Sequence, residues 1–141
     1  SSFKVGLAYD TGGKGDGSFN DSACAGLLRA QSELGVGVKE LTAGDNETDD
    51  TRAARLRQLA SNGYDPVIAV GYAYNAALTK VAKEFPQVSF AIIDDVVDAK
   101  NVGSLVFSAE QGSYLLSGWR IWPRHDSSDA CCWRRSLGDW R

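Results

Sequence analysis

Tyr9-Asp10-Thr11-Gly12-Gly13-Lys14-Gly15-Asp16-Gly17-Ser18-Phe19-Asn20-Asp21 joins an apolar strand pattern, Phe3 to Ala8, to an apolar helical pattern, Ala23 to Leu34. Four glycines and three aspartates crowd into this junction. A strand that runs through such a loop into a helix is the unit from which open α/β sheets are built, and these sheets bind ligands beyond the carboxyl ends of their strands. The stretch therefore predicts a ligand-facing junction, with the rest of the chain as its scaffold.

The chain outward from this junction repeats the same alternation. Val36 to Leu41 alternates as a half-buried strand, and Arg52 to Asn62 carries Ala53, Leu56, Leu59 and Ala60 at helical spacing, with Asp49 or Asp50 as the candidate N-cap. Val67-Ile68-Ala69-Val70 is apolar throughout, as a parallel strand covered on both faces must be. Gly71-Tyr72-Ala73-Tyr74-Asn75 is the next strand-to-helix junction. It is followed by a helix over Ala76 to Phe85, a strand over Val88 to Ile93 ending at Asp94-Asp95, a strand over Val102 to Phe107 and a helix starting at Glu110. In the first helix, Ser18 or Asn20 serves as N-cap, Ala23, Leu27, Leu28, Ala30, Gln31 and Leu34 form the apolar face, and Gly35 ends it. Strands alternating with helices give an α/β fold: a Rossmann-like open parallel sheet with right-handed crossovers.

The totals fit one globular domain. The 141 residues are 43% hydrophobic and 23% charged, with a net charge of −3 that disfavours nucleic acid and anionic membrane as partners. No apolar run is long enough to span a bilayer. Three cysteines make neither a disulfide framework nor a zinc site. Composition shifts sharply near Gly118. Trp119, Trp122, Trp133 and Trp140, the single histidine His125, and Cys131-Cys132 all lie beyond it, and all six lysines lie before it. No helical or strand periodicity survives there, and Pro123 stops the preceding helix. Interleaved Trp and Arg can stack on bases or lie at a membrane interface, but the break in pattern favours a division into residues 1–118, a lobe, and residues 119–141, an aberrant and possibly frameshifted tail.

Asp10, Gly71-Tyr72 and Asp94-Asp95 all fall at strand ends and converge on one rim. Asp10 there can ligate Mg²⁺, accept a phosphoryl group, or hydrogen-bond sugar hydroxyls. The strand ending at Phe107-Ser108-Ala109 brings no lysine, so the phosphoacceptor reading fails. The glycine loop has neither the G-x-x-x-x-G-K-[S/T] nor the G-x-G-x-x-G spacing, and Asp16 and Asp21 would repel a phosphate. A neutral, hydroxyl-rich ligand fits better. Phe19 is a candidate stacking ring or a staple on its own helix. Asn20 is a candidate reader of a heterocycle edge or a plain cap. Tyr72 and Tyr74 are loop-packing aromatics or ligand contacts. No nucleophile–base pair can be assembled, so catalysis is not expected, and no cofactor or metal is implied.

Residues 3–118 resemble the basic membrane protein (Bmp/PnrA-like) family, substrate-binding lipoproteins of ABC transporters for nucleosides. The resemblance rests on Phe3-Lys4-Val5-Gly6-Leu7-Ala8-Tyr9-Asp10 through Gly15-Asp16-x-Ser18-Phe19-Asn20-Asp21, on Lys83-Glu84-Phe85-Pro86-Gln87-Val88-Ser89-Phe90, and on Phe107-Ser108-Ala109-Glu110-Gln111-Gly112. It implies the first lobe of a type I periplasmic-binding-protein fold, in which two lobes close on a purine nucleoside. Carried over, Asp10 and Asn20 become polar ligand contacts, Phe19 a stacking platform, Gly71 and Tyr72 cleft wall, and Asp94 a contact to ribose or base. It also implies an ABC permease as partner, an extracytoplasmic protein anchored by a lipid ahead of Ser1, and a second lobe that the tail replaces. Weak nucleoside binding and self-association of the exposed lobe follow as expectations. The alternative is a small-molecule-sensing regulatory domain on the same fold; a nucleoside-processing enzyme is a third reading.

Overall fold

The computed structural model describes residues 3–108. Five strands form one parallel sheet: β1 (Lys4–Ala8), β2 (Gly37–Leu41), β3 (Val67–Val70), β4 (Phe90–Ile93) and β5 (Val102–Leu105), in the order β2-β1-β3-β4-β5. Three helices connect them: α1 (Phe19–Leu34), α2 (Asp49–Ser61) and α3 (Asn75–Glu84), the last entered through a 3₁₀ turn, Tyr72–Tyr74. The expected α/β class and parallel sheet are what the chain forms. The boundary at residue 118, the helix from Glu110 and the tail over 119–141 lie outside the described residues.

Side chains alternate across the sheet, so each buried strand serves two cores. On one face, Ala8, Val67, Ala69, Phe90 and Ile92 pack under α2 and α3, which contribute Leu56, Leu59, Leu78 and Val81. On the other, Val5, Leu7, Tyr9 and Val70 pack against Cys24 and Leu27 of α1. The doubled burial explains why the β3 sequence is apolar at every position. The strand order reverses between β1 and β3: the chain goes outward from β1 to β2, then crosses to β3 and continues the other way. The loops after β1 and β3 therefore diverge at their carboxyl ends and leave a crevice.

Several local expectations change. Helix α1 begins at Phe19, four residues ahead of the apolar pattern, because its first inward position is the polar Asn20. Its buried stripe is narrow, Asn20, Cys24 and Leu27, whereas Leu28 and Leu34 are exposed. Neither Ser18 nor Asn20 caps α1 with its side chain. Asp16 does so from outside the helix, its carboxylate accepting from Ser18 N at 2.8 Å, Asp21 N at 3.3 Å and Asn20 N at 3.4 Å. Helix α2 is capped by Thr48 rather than Asp49 or Asp50: the Thr48 hydroxyl accepts from Thr51 N, and Thr51 Oγ1 accepts from Thr48 N. Gly35 does close α1, in the left-handed conformation at φ 64°, with its N–H on the Gln31 carbonyl. Strand β4 starts at Phe90 rather than Val88. Strand β5 stops at Leu105 rather than Phe107, because β4 turns away at Asp94, whose N–H to the Leu105 carbonyl (2.8 Å) is the last bond between the two.

Candidate functional site

At the end of β1 the chain changes from buried to polar within one residue. Tyr9 is fully buried; its hydroxyl donates to Glu40 Oε1 at 3.0 Å, and burial, aided by Glu40, pushes its ionisation far up. Glu40 also pairs with Lys14, so the glycine loop is tied to β2. Asp10 follows. One carboxylate oxygen accepts from Thr11 N at 2.8 Å. The other lies against Gly71, at the end of β3: a Cβ on residue 71 would stand 2.6 Å from it. Gly71 also holds φ at +99°, which L side chains rarely adopt. Asp10 and Gly71 thus meet across the point where the sheet order reverses, and the close approach requires glycine.

Asn20 is 2% exposed. Its Oδ1 accepts from Asp10 N at 3.2 Å and its Nδ2 donates to the Asp10 carbonyl at 3.5 Å. The amide expected to face a ligand is turned onto the backbone of Asp10 and holds the start of the loop to the start of α1. Phe19, one residue earlier, is 39% exposed, and its ring centroid is 5.5 Å from that of Phe107, with the planes at 41°.

The loop carboxylates are spent locally. Asp21 accepts from Gly15 N at 2.7 Å and Gly17 N at 3.0 Å, and Asp16 covers the free N–H groups of α1. A helix N-terminus that is open attracts anions. Here Asp16 and Asp21 take the N–H groups of Gly15, Gly17, Ser18, Asn20 and Asp21, and Lys14, the loop's one cation, is paired with Glu40, so the start of α1 is occupied by the protein's own carboxylates.

The two tyrosines after Gly71 separate cleanly. Tyr72 is 69% exposed on the rim. Tyr74 is fully buried; its hydroxyl donates to the Tyr9 carbonyl at 2.7 Å and accepts from Arg55 Nη1 at 2.6 Å. Arg55 in turn is gripped by Glu47 at 2.5 and 3.1 Å. The hydrogen bond from Arg55, helped by the Gly44 N–H, holds the Glu47 carboxyl down to about 2 against the cost of its desolvation. This chain of Glu47, Arg55 and Tyr74 ends on the peptide that precedes Asp10. Sequence reasoning did not find it, because Arg55 looks like any exposed helix cation; its place between Ala53 and Leu56 on the inward side of α2 is the signal that it is partly covered.

Asp94 and Asp95 also divide. Asp95 accepts from Asn75 Nδ2 and Val96 N, both at 2.7 Å, and fastens the β4 end to α3. Asp94 sits at φ 70°. Among the described residues its carboxylate takes no hydrogen bond. Asp10 and Gly71 are thus in contact and Asn20 holds the Asp10 backbone, whereas Tyr72 and Asp94 follow the ends of β3 and β4 and Phe19 begins α1. Among the described residues no three His, Cys, Asp or Glu side chains are grouped to hold a metal, and no helix is long and apolar enough to cross a membrane.

A doubly wound parallel sheet with Asp10, Gly71 and Asp94 at its strand ends is the architecture of a lobe of the periplasmic-binding-protein fold. The chain belongs to the family of PnrA-like ABC transporter substrate-binding proteins, which it matches over residues 3–118. That family is one of binding proteins, not of enzymes. The chain is 35% identical over 116 residues to an uncharacterized lipoprotein of Pyrococcus furiosus, covering 80% of this chain and 28% of that protein. It is 30% identical over 115 residues to the ABC transporter nucleoside-binding protein BmpA of Lactococcus lactis, covering 79% of this chain and 32% of that protein. An ABC transporter solute-binding protein of known structure from Aeropyrum pernix K1 is similar in fold at a TM-score of 0.72 and 33% identity, covering 81% of this chain and 31% of that one. The chain spans less than a third of the length of each of these proteins.

Proposed function

We propose that this chain supplies one wall of a purine-nucleoside site in the substrate-binding component of an ABC transporter, held outside the cytoplasmic membrane by a lipid anchor and delivering its ligand to the transporter's permease. The observation that carries the reading is the Asp10 carboxylate set against Gly71 at the reversal point of the sheet, with the Phe19 ring partly exposed at the start of the helix that follows. Asp10 accepts hydrogen bonds from ribose hydroxyls or a base N–H, and Asp94 offers a second acceptor. Phe19 stacks on the purine. Gly71 and Tyr72 form the wall, and Asn20 acts through Asp10 by fixing its backbone. The self-capped start of α1 supports a nucleoside over a nucleotide.

One stacked ring contributes about 1–3 kcal/mol, and a hydrogen bond to a carboxylate about 1.5–3 kcal/mol. After the entropy cost of association, a single wall binds at roughly millimolar strength. Titration of the full chain with inosine, guanosine and adenosine, followed by amide NMR, should shift the signals of Asp10, Phe19 and Gly71. The corresponding 5′-monophosphates should bind less well. Equal or tighter binding of the monophosphates, or shifts confined to other residues, would refute the reading. Micromolar or tighter affinity would refute the single-wall account.

A further inference from the structure

Among the described residues the Phe19 ring has one aromatic partner, Phe107, and it comes from the other end of the sheet. Helix α1 starts from the loop after β1, whereas Phe107 follows β5, with β3 and β4 between the two strands. Neighbouring strands lie about 4.8 Å apart, so β1 and β5 are separated by roughly 14 Å. The rings nevertheless meet at 5.5 Å between centroids and 41° between planes. Phe107 lies two residues past the end of β5 at Leu105, beyond the last bond with β4, so the ladder does not hold it away from Phe19. Neither ring is a core residue: Phe19 is 39% exposed and Phe107 55%. Core packing does not account for the pair.

We infer that Phe107 is a positioning residue of the ligand site, which holds the Phe19 ring in the orientation it presents to a purine. This rests on the nucleoside reading above. A phenylalanine at the first position of a helix, with one side in water, has two side-chain torsions to settle, and a ligand that stacks on it must bear the cost of fixing them. A second ring tilted against the first fixes them in advance. Tilted aromatic pairs at this separation are favourable beyond simple burial, enough to change an equilibrium by about two- to tenfold. Phe107 thereby adds to base recognition without being required to touch the base.

The test uses the full chain with ¹³C-labelled phenylalanine rings. Without ligand, Phe107→Leu should move the Phe19 ring signals and broaden their range of orientations, whereas Phe107→Tyr should leave them near their original positions. With ligand, Phe107→Leu should weaken inosine binding about two- to tenfold and leave the weak binding of free ribose unchanged. Phe107→Tyr should restore inosine binding. In a Phe19→Leu background, Phe107→Leu should have no further effect, because its action passes through Phe19. The thermal midpoint reports any general loss of structure, and a parallel fall in ribose and inosine binding would overturn the inference by assigning Phe107 a purely structural role. Phe19 ring signals that ignore Phe107→Leu would overturn it too. Wild-type rings that do not respond to inosine would overturn the nucleoside reading and the inference together; a wild-type response that Phe107→Leu leaves intact would overturn the inference alone.

Discussion

The junctions after β1 and after β3 meet at the same crevice but are built in opposite ways. The first runs from Tyr9 to Ser18, is largely exposed, and is held by carboxylates folded back onto backbone N–H groups: Asp16 on the start of α1, Asp21 on Gly15 and Gly17. The second is a single residue, Gly71, followed by a 3₁₀ turn whose Tyr74 is fully buried and reaches across to the Tyr9 carbonyl. The polar junction carries the groups proposed to face a ligand; the apolar junction carries the rigidity. Asp10 belongs to the first by sequence and to the second by contact. That division explains how a glycine-rich loop can hold a carboxylate in a defined place.

Four substitutions test this contrast, and their effects should decline from the buried junction to the exposed one. Gly71→Ala should be the most damaging. The added carbon meets Asp10 Oδ2 at 2.6 Å and the backbone is at φ +99°, so a loss of about 2–4 kcal/mol is expected. Urea denaturation measures it; a loss below half of that would mean Asp10 swings away freely. Tyr74→Phe removes a donor to Tyr9 and an acceptor for Arg55 and should cost about 1–3 kcal/mol, with slowed exchange lost at the amides around Asp10. An unchanged exchange pattern would disconnect Tyr74 from the rim.

Glu47→Gln comes next, at roughly 1–2 kcal/mol near neutral pH. The Glu47 carboxyl sits at about 2 in the folded protein against 4.5 when free, chiefly through Arg55. A lowered folded value means its contribution is complete above about pH 4.5 and is lost as pH falls towards 2. Wild-type and variant stability curves should therefore run apart at pH 6–7 and converge in acid. Curves that stay parallel down to pH 2 would place the Glu47 effect in packing instead of charge. Asp16→Ala, on the exposed junction, should cost only about 0.5–1 kcal/mol, the value of a helix cap. It should also raise the binding of nucleoside monophosphates relative to nucleosides by uncovering the α1 N–H groups. No gain for the monophosphates would remove the self-capping argument.

The order of elements was readable because parallel strands buried on both faces cannot hide: Val67-Ile68-Ala69-Val70 has no polar position to misplace. The strand ends then located Asp10 and Gly71 through topology alone. What stayed hidden depended on single side chains choosing among nearby partners. Asn20 is polar yet points inward, so the start of α1 had no apolar signal. Leu28 and Leu34 fit a helical face yet lie outside the stripe that the sheet covers. Tyr72 and Tyr74 are alike in sequence, and only the reach of one hydroxyl to Tyr9 distinguishes them. Asp94 and Asp95 were separated by Asn75, twenty residues away. Phe107 was read as the end of a strand, which concealed that it lies past the last bond with β4 and is free to turn towards Phe19.

The approach of Asp10 to Gly71 also constrains how this lobe can vary. Any side chain at position 71 collides with the carboxylate at position 10, so the two sites do not accept substitutions independently. A lineage that keeps an acid at 10 is bound to glycine at 71, and one that places alanine or serine at 71 must first shorten residue 10 and re-route the turn after β3. Across an alignment, positions 10 and 71 should change together or not at all, although they lie 61 residues apart in the chain.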